Sequence, residues 1–283
     1  MAEPFTFGIP LIARASSANW PLIEALLELT LASLRGQTDC DFRILIAGHD
    51  RPRAAAGDLR CAFIEADWPA APVRSDNRDS GRKKHLIGQQ VMARGGGLLM
   101  FVDADDWVDS RLVAAARATI GAETIGGIVG RGFATDFRTL RAAPVPHPAI
   151  FDGGFDRVCG SSVIARLRPD DPDPIRRDPF ARLHEHYRWA DLAEELGAPV
   201  ARLPVAGNYL VNSSANHSET HGPFTDWRRG FTRAVNREGR AIDEAFARRF
   251  GLSLARIRAP SRRFFPEEQK SQLLIFQPRL SSA

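Results

Sequence analysis

Through residue 119 the chain alternates short apolar runs with stretches of helical periodicity. Phe5–Ile12 is an apolar run broken by Gly8 and Pro10. Over 20–34 the apolar positions Leu22, Ile23, Leu26, Leu27, Leu29, Leu31 and Leu34 follow helical spacing, and Gly36 ends the stretch. Runs at 42–47 and 61–64 predict two more strands, with a polar loop at 67–79 after them. Residues 84–93 predict a helix closed by Gly95, Gly96 and Gly97, and 98–102 predicts a buried strand followed by a helix at 111–119. Strands separated by helices of this length predict a mostly parallel sheet flanked by helices and joined by right-handed crossovers.

The second half is less regular. Segments 125–133 and 149–158 predict strands around a proline-rich loop at 144–148, and 161–167 predicts a strand or short helix. Residues 168–182 hold four prolines and predict an irregular, charged loop, long enough to act as a lid over a ligand. A helix is expected over 184–196, ended by Gly197, and a strand over 200–211. After residue 222 the chain is helical in pattern and rich in arginine (Arg228, Arg229, Arg233, Arg237, Arg240, Arg248, Arg249). The predicted organisation is one unit at 1–222, with halves at 1–110 and 111–222, and an Arg-rich helical extension at 223–283.

The most informative stretch is 98–110. Its apolar strand ends abruptly in Asp103, Asp105 and Asp106, with Asp109 just beyond. Carboxylates at a buried strand end are costly unless a cation compensates them, and in open α/β sheets ligands sit at that end. Grouped oxygen ligands suit a hard divalent ion, which usually travels with phosphates. One of these residues could instead cap the following helix. An EF-hand is excluded, because Trp107 and Val108 stand where an oxygen ligand and glycine are required. A phosphatase would place its Asp-x-Asp nearer the N-terminus.

Composition narrows the classes further. The 283 residues are 44% hydrophobic, enough for a substantial core. The net charge is +4 with pI near 9.3, almost all of it from arginine. No aromatic platform or zinc spacing accompanies that charge, so nucleic acid is not expected as a partner. Cys40, Cys61 and Cys159 are odd in number and far apart, which points away from a disulfide framework and towards a reducing compartment. With no signal-peptide pattern and no long apolar span, a cytoplasmic protein is expected, with the basic C-terminal segment able to rest on the inner membrane face.

The order of these features resembles a nucleotide-sugar glycosyltransferase of the GT-A fold, most closely the family 2 group, over about residues 5–221. The residues that carry the resemblance are Ile9-Pro10-Leu11-Ile12-Ala13-Arg14, Gln37-Thr38, Asp50, the basic run Arg82-Lys83-Lys84, and above all Phe101-Val102-Asp103-Ala104-Asp105-Asp106. The resemblance implies a nucleotide-sugar donor, more specifically UDP-linked, and a glycan or other hydroxyl acceptor. Pro10, Arg14, Asp50, Asp103 and one of Arg82, Lys83 and Lys84 are the implied nucleotide and diphosphate contacts. Asp105, helped by Asp103 or Asp106, and with His217 from the C-terminal side, is implied to hold Mn²⁺ or Mg²⁺. The implied base falls on Glu185 or His186, where the family's acidic pair has a histidine as its second member here, with Asp191 a weaker candidate. Sugar transfer with inversion follows from the same analogy. The segment Val158-Cys159-Gly160-Ser161-Ser162 resembles the loop lining the donor sugar, with Cys159 structural. The alternatives are a nucleotidyltransferase, whose Gly-rich loop is missing after the first strand, or a GT-A-like domain that binds nucleotide or glycan without catalysis.

Overall fold

The computed structural model describes residues 2–72, 77–216, 219, 221 and 223–266. The first half follows the periodicity closely: β1 (Phe5–Pro10), α1 (Trp20–Arg35), β2 (Arg43–Gly48), β3 (Cys61–Glu65), α2 (Arg78–Met92), β4 (Gly97–Phe101), β5 (Trp107–Val108) and α3 (Leu112–Thr119). Then come β6 (Gly126–Ile128), β7 (Gly132–Asp136), β8 (Arg141–Val145), β9 (Val163–Leu167), α4 (Pro174–Arg177), α5 (Pro179–Leu183) and α6 (Trp189–Glu195). The chain continues through β10 (Val200–Arg202), β11 (Gly207–Val211), α7 (Thr225–Glu238), β12 (Arg240–Ala241), α8 (Glu244–Arg249) and α9 (Leu254–Phe264).

The central sheet has the order β10-β6-β9-β4-β1-β2-β3. The pairs β1–β2, β1–β4, β2–β3 and β6–β10 are parallel, whereas β9 runs antiparallel to both β4 and β6. The protein is therefore a mixed α/β fold with a mostly parallel sheet flanked by helices, as the strand–helix alternation predicted. Strand β4 is buried at every position and β1 at all but its last, the continuous apolar pattern of strands covered on both faces. A second sheet, ordered β12-β8-β7-β11-β5, packs beside it.

Two segments predicted as single strands split between the sheets. Residues 125–133 become β6 in the central sheet and β7 in the second, and 200–211 become β10 and β11 in the same way. Glycine permits the crossing: a Cβ at Gly132 or Gly207 would lie within 2.4 or 2.2 Å of the Phe155 ring. The strand expected over 149–158 is absent; that segment holds a bridge between His147 and Phe151 and a 3₁₀ turn at Phe155–Arg157. The irregular loop expected at 168–182 contains α4 and α5. Both begin with Asp-Pro, in which Asp173 and Asp178 cap the first turn and the proline occupies a position whose N–H is not needed. The helix expected over 184–196 starts late, as a 3₁₀ turn at His186–Arg188 running into α6.

Helix α1 is buried on two sides. Leu27, Leu31 and Leu34 face the core of the central sheet, while Leu22, Leu26 and Leu29 pack with Phe250, Leu252 and Ile257. The segment after 222 thus supplies β12 to the second sheet and α8–α9 to the cover of α1. The contact is close enough that a Cβ at Gly36 would sit 2.7 Å from Gly251 Cα. Among the described residues no helix is long and apolar enough to cross a membrane.

Candidate active site

A cavity of about 580 Å³ opens at the carboxyl ends of β1 and β4. Its floor is Pro10, Leu11 and Ile12 after β1, and its far side is Asp103 to Asp105 after β4. Trp68, Pro69, Ala71 and Pro72, from the loop predicted only as polar, also line it. Trp68 is held on several sides: its Nε1 donates to Asp79 Oδ1 at 3.0 Å, its carbonyl lies 2.9 Å from His49 Nε2, and the Arg82 guanidinium lies 4.0 Å from its ring centre.

The acidic turn divides into two functions. Asp103 and Asp105 line the cavity. Asp106 does not, and both of its oxygens are engaged: Oδ2 accepts from Ser161 Oγ at 2.7 Å and Cys159 Sγ at 3.2 Å, and Oδ1 accepts from the Leu210 N–H at 3.0 Å. Asp106 is 1% exposed and ties the turn to β11 and to the 159–161 loop. Its expected place beside Asp105 as a metal ligand is therefore corrected to a structural tie. Asp109 is likewise spent on the Arg111 side chain and N–H, so neither Asp105 nor Asp106 caps α3. Ser161 also accepts the Asp103 N–H at 2.8 Å, which sets the turn's backbone.

Burial pushes the Asp105 carboxyl well above the usual carboxylate range, and the charges of Asp106, Asp103 and Glu219 add to it. Burial and Asp103 likewise push Asp106 up to about 7. Such a site gains from a cation. Among the described residues no three His, Cys, Asp or Glu side chains are grouped to hold a metal ion by themselves. Two carboxylates facing a cavity nevertheless fit Mg²⁺ or Mn²⁺, which commonly takes one or two protein carboxylates and completes its shell with water and substrate phosphate. His217 lies outside the described residues.

Of the expected cations, Arg82 and Lys83 line the cavity. Lys83 is 0% exposed, donates to the Leu11 carbonyl at 2.7 Å and pairs with Asp79, so it braces α2 against the end of β1. Lys84 lies 5.7 Å from the Phe101 ring and does not line the cavity. Arg14 and Asp50 are also absent from the lining; Asp50 Oδ2 instead accepts the Arg14 N–H at 2.8 Å, holding the turn after β1. Gln37 proves to be a buried latch, donating to the Asp109 carbonyl at 2.9 Å and accepting the Val113 N–H at 3.0 Å.

Of the two candidate bases the structure brings in only one. His186 Nδ1 lies 2.6 Å from the Asp156 carbonyl. A carbonyl can only accept, so Nδ1 carries the hydrogen and Nε2 keeps its lone pair. A Cβ built on Gly160 would lie 3.3 Å from Asp103 Oδ2 and 3.8 Å from His186 Cδ2, so one glycine separates the imidazole from the acidic turn. Burial pushes the His186 pKa below its ordinary value, with the carbonyl bond and Asp103 acting in the opposite sense. Glu185 is exposed and its side chain does not cap the following turn, and Asp191 is ion-paired with Arg157 at the surface.

Three residues escaped the sequence reading: Trp68, Glu219 and Arg228. Trp68 sat in a segment with no periodicity, and Arg228 was one of many arginines in a charged helix. Only the folded chain puts Trp68 in the cavity lining, brings the Glu219 charge to bear on Asp105 and sets Arg228 against the Val158 carbonyl.

No family model and no curated protein matches this chain. Among solved structures it is similar to a protein of Desulfovibrio desulfuricans G20 whose assignment as a nucleotide-diphospho-sugar transferase is provisional. That likeness has 10% sequence identity, covers 84% of this chain and 99% of the other, and has a TM-score of 0.35, too loose a superposition to carry an argument.

Proposed function

We propose that this protein transfers a sugar from a nucleoside-diphosphate sugar to a hydroxyl group of a glycan or similar acceptor. The observation that carries the reading is one arrangement. A cavity at the ends of parallel strands is lined by Trp68 and by the carboxylates of Asp103 and Asp105, and the His186 imidazole stands across Gly160 from Asp103.

In this reading the nucleoside, uridine by the resemblance, lies between the end of β1 and the Trp68 wall. Asp105 and Asp103 would hold the divalent cation, which supplies charge neutralisation at the departing diphosphate. His186 orients the acceptor hydroxyl and takes its proton on Nε2 as the oxygen attacks the anomeric carbon. The bond from that carbon to the diphosphate oxygen breaks, and its electron pair leaves with the nucleoside diphosphate. Attack from the face opposite the leaving group inverts the anomeric centre.

The test is a thermal-shift panel of nucleoside diphosphates and nucleotide sugars with and without Mn²⁺, on the wild type and Asp105→Asn. A bound ligand raises the melting temperature by mass action. Metal-dependent stabilisation by a nucleoside diphosphate, lost in the variant, is the expected result. No response to any nucleoside diphosphate would overturn the reading.

A further inference from the structure

A second cavity, of about 620 Å³, lies between the 3₁₀ turn at Phe155–Arg157, α6 and the end of β10. We propose that it is a subsite for a neutral saccharide, held by Asp156 and Arg202, and that its occupancy reaches His186 through Asp156. The subsite stands apart from the donor cavity and shares no lining residue with it. Its link to turnover rests on the transferase reading, in which His186 is the base.

The first support is a buried carboxylate without a partner. Asp156 is 4% exposed and lines the cavity. Among the described residues its side chain forms no ion pair and takes no hydrogen bond from any other residue. Burial pushes its carboxyl above the usual range, against the pull of Arg202, Arg157 and His186. A buried polar group left in this state is costly, and a ligand that donates to it removes the cost.

Arg202 is the second support. It lines the same cavity at the end of β10 and, among the described residues, has no ion pair either. A Cβ built on Gly130 would lie 3.4 Å from Arg202 Nη1 and 3.8 Å from Asp156 Oδ1. The guanidinium and the carboxylate thus converge on one point without closing a salt bridge. A group that both donates and accepts can bridge them.

The lining chemistry selects the ligand. Arg157 and Asp191 pair with each other at 2.7 Å, which leaves Asp156 and Glu194 as acceptors and Arg202 as donor. A phosphate would face two carboxylates, and a cation would face an unpaired guanidinium. Among the described residues no aromatic side chain lines the cavity to stack a nucleobase. The hydroxyls of a neutral sugar donate to the carboxylates and accept from the guanidinium at once. The volume falls in the range of about 300–1,000 Å³ common for small-molecule sites.

Position supplies the consequence. The Asp156 carbonyl accepts the Nδ1 hydrogen of His186 at 2.6 Å, while the Asp156 side chain lines the second cavity. His186 also opens the 3₁₀ turn that runs into α6, another wall of that cavity. One residue therefore carries the sugar contact on its side chain and the orientation of the base on its backbone. A saccharide that fixes the Phe155–Arg157 turn fixes the imidazole with it, and Asp156 is a positioning residue.

The test uses the full chain, with Arg202→Met and Asp156→Asn, whose melting temperatures establish that they fold. D-glucose, D-galactose, D-mannose, maltose, cellobiose and lactose are titrated, with D-glucuronate and D-glucosamine as charged controls. Binding is read from the amide NMR signals of the isotope-labelled protein, and coupling from the His186 ring protons, assigned with His186→Asn. The expected result is saturable binding of at least one neutral sugar, weakened about tenfold or more in both variants, with the His186 signals moving in step. Tighter binding of the disaccharides assigns the subsite to a glycan chain, and equal binding to a free sugar; either supports it. No binding of any neutral sugar, affinity unchanged in both variants, or tighter binding of a charged control would overturn the subsite. Saturation that leaves the His186 signals in place would overturn the coupling. UDP and GDP are titrated on the wild type in parallel. A chain that binds either of them but no sugar overturns the subsite alone, and one that binds sugar but neither diphosphate overturns the transferase reading alone.

Discussion

Asp105 and Asp106 are neighbours with opposite duties, and the difference can be measured. Asp105 lines the cavity, where burial and the charges of Asp106, Asp103 and Glu219 disfavour its ionised form, so Asp105→Asn should relieve repulsion and raise the melting temperature of the ligand-free protein while abolishing metal-dependent nucleotide binding. Asp106→Ala should instead lower unfolding stability by about 3 kcal/mol, because it orphans donors on Ser161, Cys159 and Leu210 in a dry setting. Urea titration distinguishes the two outcomes. A carboxyl whose native pKa is raised, here to about 7, holds its proton more tightly when folded. Its contribution to stability is therefore full in acid and is lost as pH rises through that value. The urea midpoint should accordingly fall less between pH 5 and pH 8 in Asp106→Asn than in the wild type. His186 has the opposite displacement. With its pKa held below the ordinary 6.5, the acid limb of kcat/KM should lie below that pH. His186→Asn should lower kcat by about 100-fold or more while leaving nucleotide binding intact, and a variant that retained full turnover would remove the base from that position.

At the level of elements, the informative case is α1. Its apolar residues surround the helix rather than forming one stripe, a pattern that demands cover on both sides. The second cover comes from Phe250, Leu252 and Ile257, more than two hundred residues later in sequence. Phe250→Ala should therefore cost about 3–5 kcal/mol, read from denaturant melts. A chain ending at residue 222 should show no cooperative unfolding transition, because one face of α1 would be exposed to water. Gly36→Ala should also destabilise the protein, since the new methyl would meet the Gly251 backbone at 2.7 Å. The 168–182 segment, expected as a lid, contributes no lining residue to the cavity; Phe180 packs instead against Phe101 and Trp189. Proteolysis of that segment should be unaffected by nucleotide.

Across the whole molecule, the two sheets meet at the candidate site. The acidic turn leaves the central sheet after β4 and enters the second through β5, and Asp106 binds β11 on the way. A ligand in this cavity would touch the ends of β1 and β4 and the segment after β11 (Ala215, Asn216), so nucleotide binding should raise the global melting temperature as one transition. Two separate transitions with only the first ligand-sensitive would show that the sheets unfold independently.

Local patterns sufficed where one segment decides its own fate. The apolar runs of β1, β2 and β4, the periodicity of α1 with Gly36 at its end, and the carboxylates at 103–106 are all visible because strand burial, helix termination and charge at a strand end are properties of a few adjacent residues. The tertiary structure decided whatever depends on segments meeting. It split 125–133 and 200–211 between two sheets, because a chain crossing from one sheet to another keeps the same apolar composition on both sides of the break. It turned Lys83 and Asp50 into braces and left Trp68 lining the cavity, because a side chain's freedom depends on the partner that reaches it first. It also separated Asp105 from Asp106, which composition cannot distinguish, by giving only one of them three donors to hold.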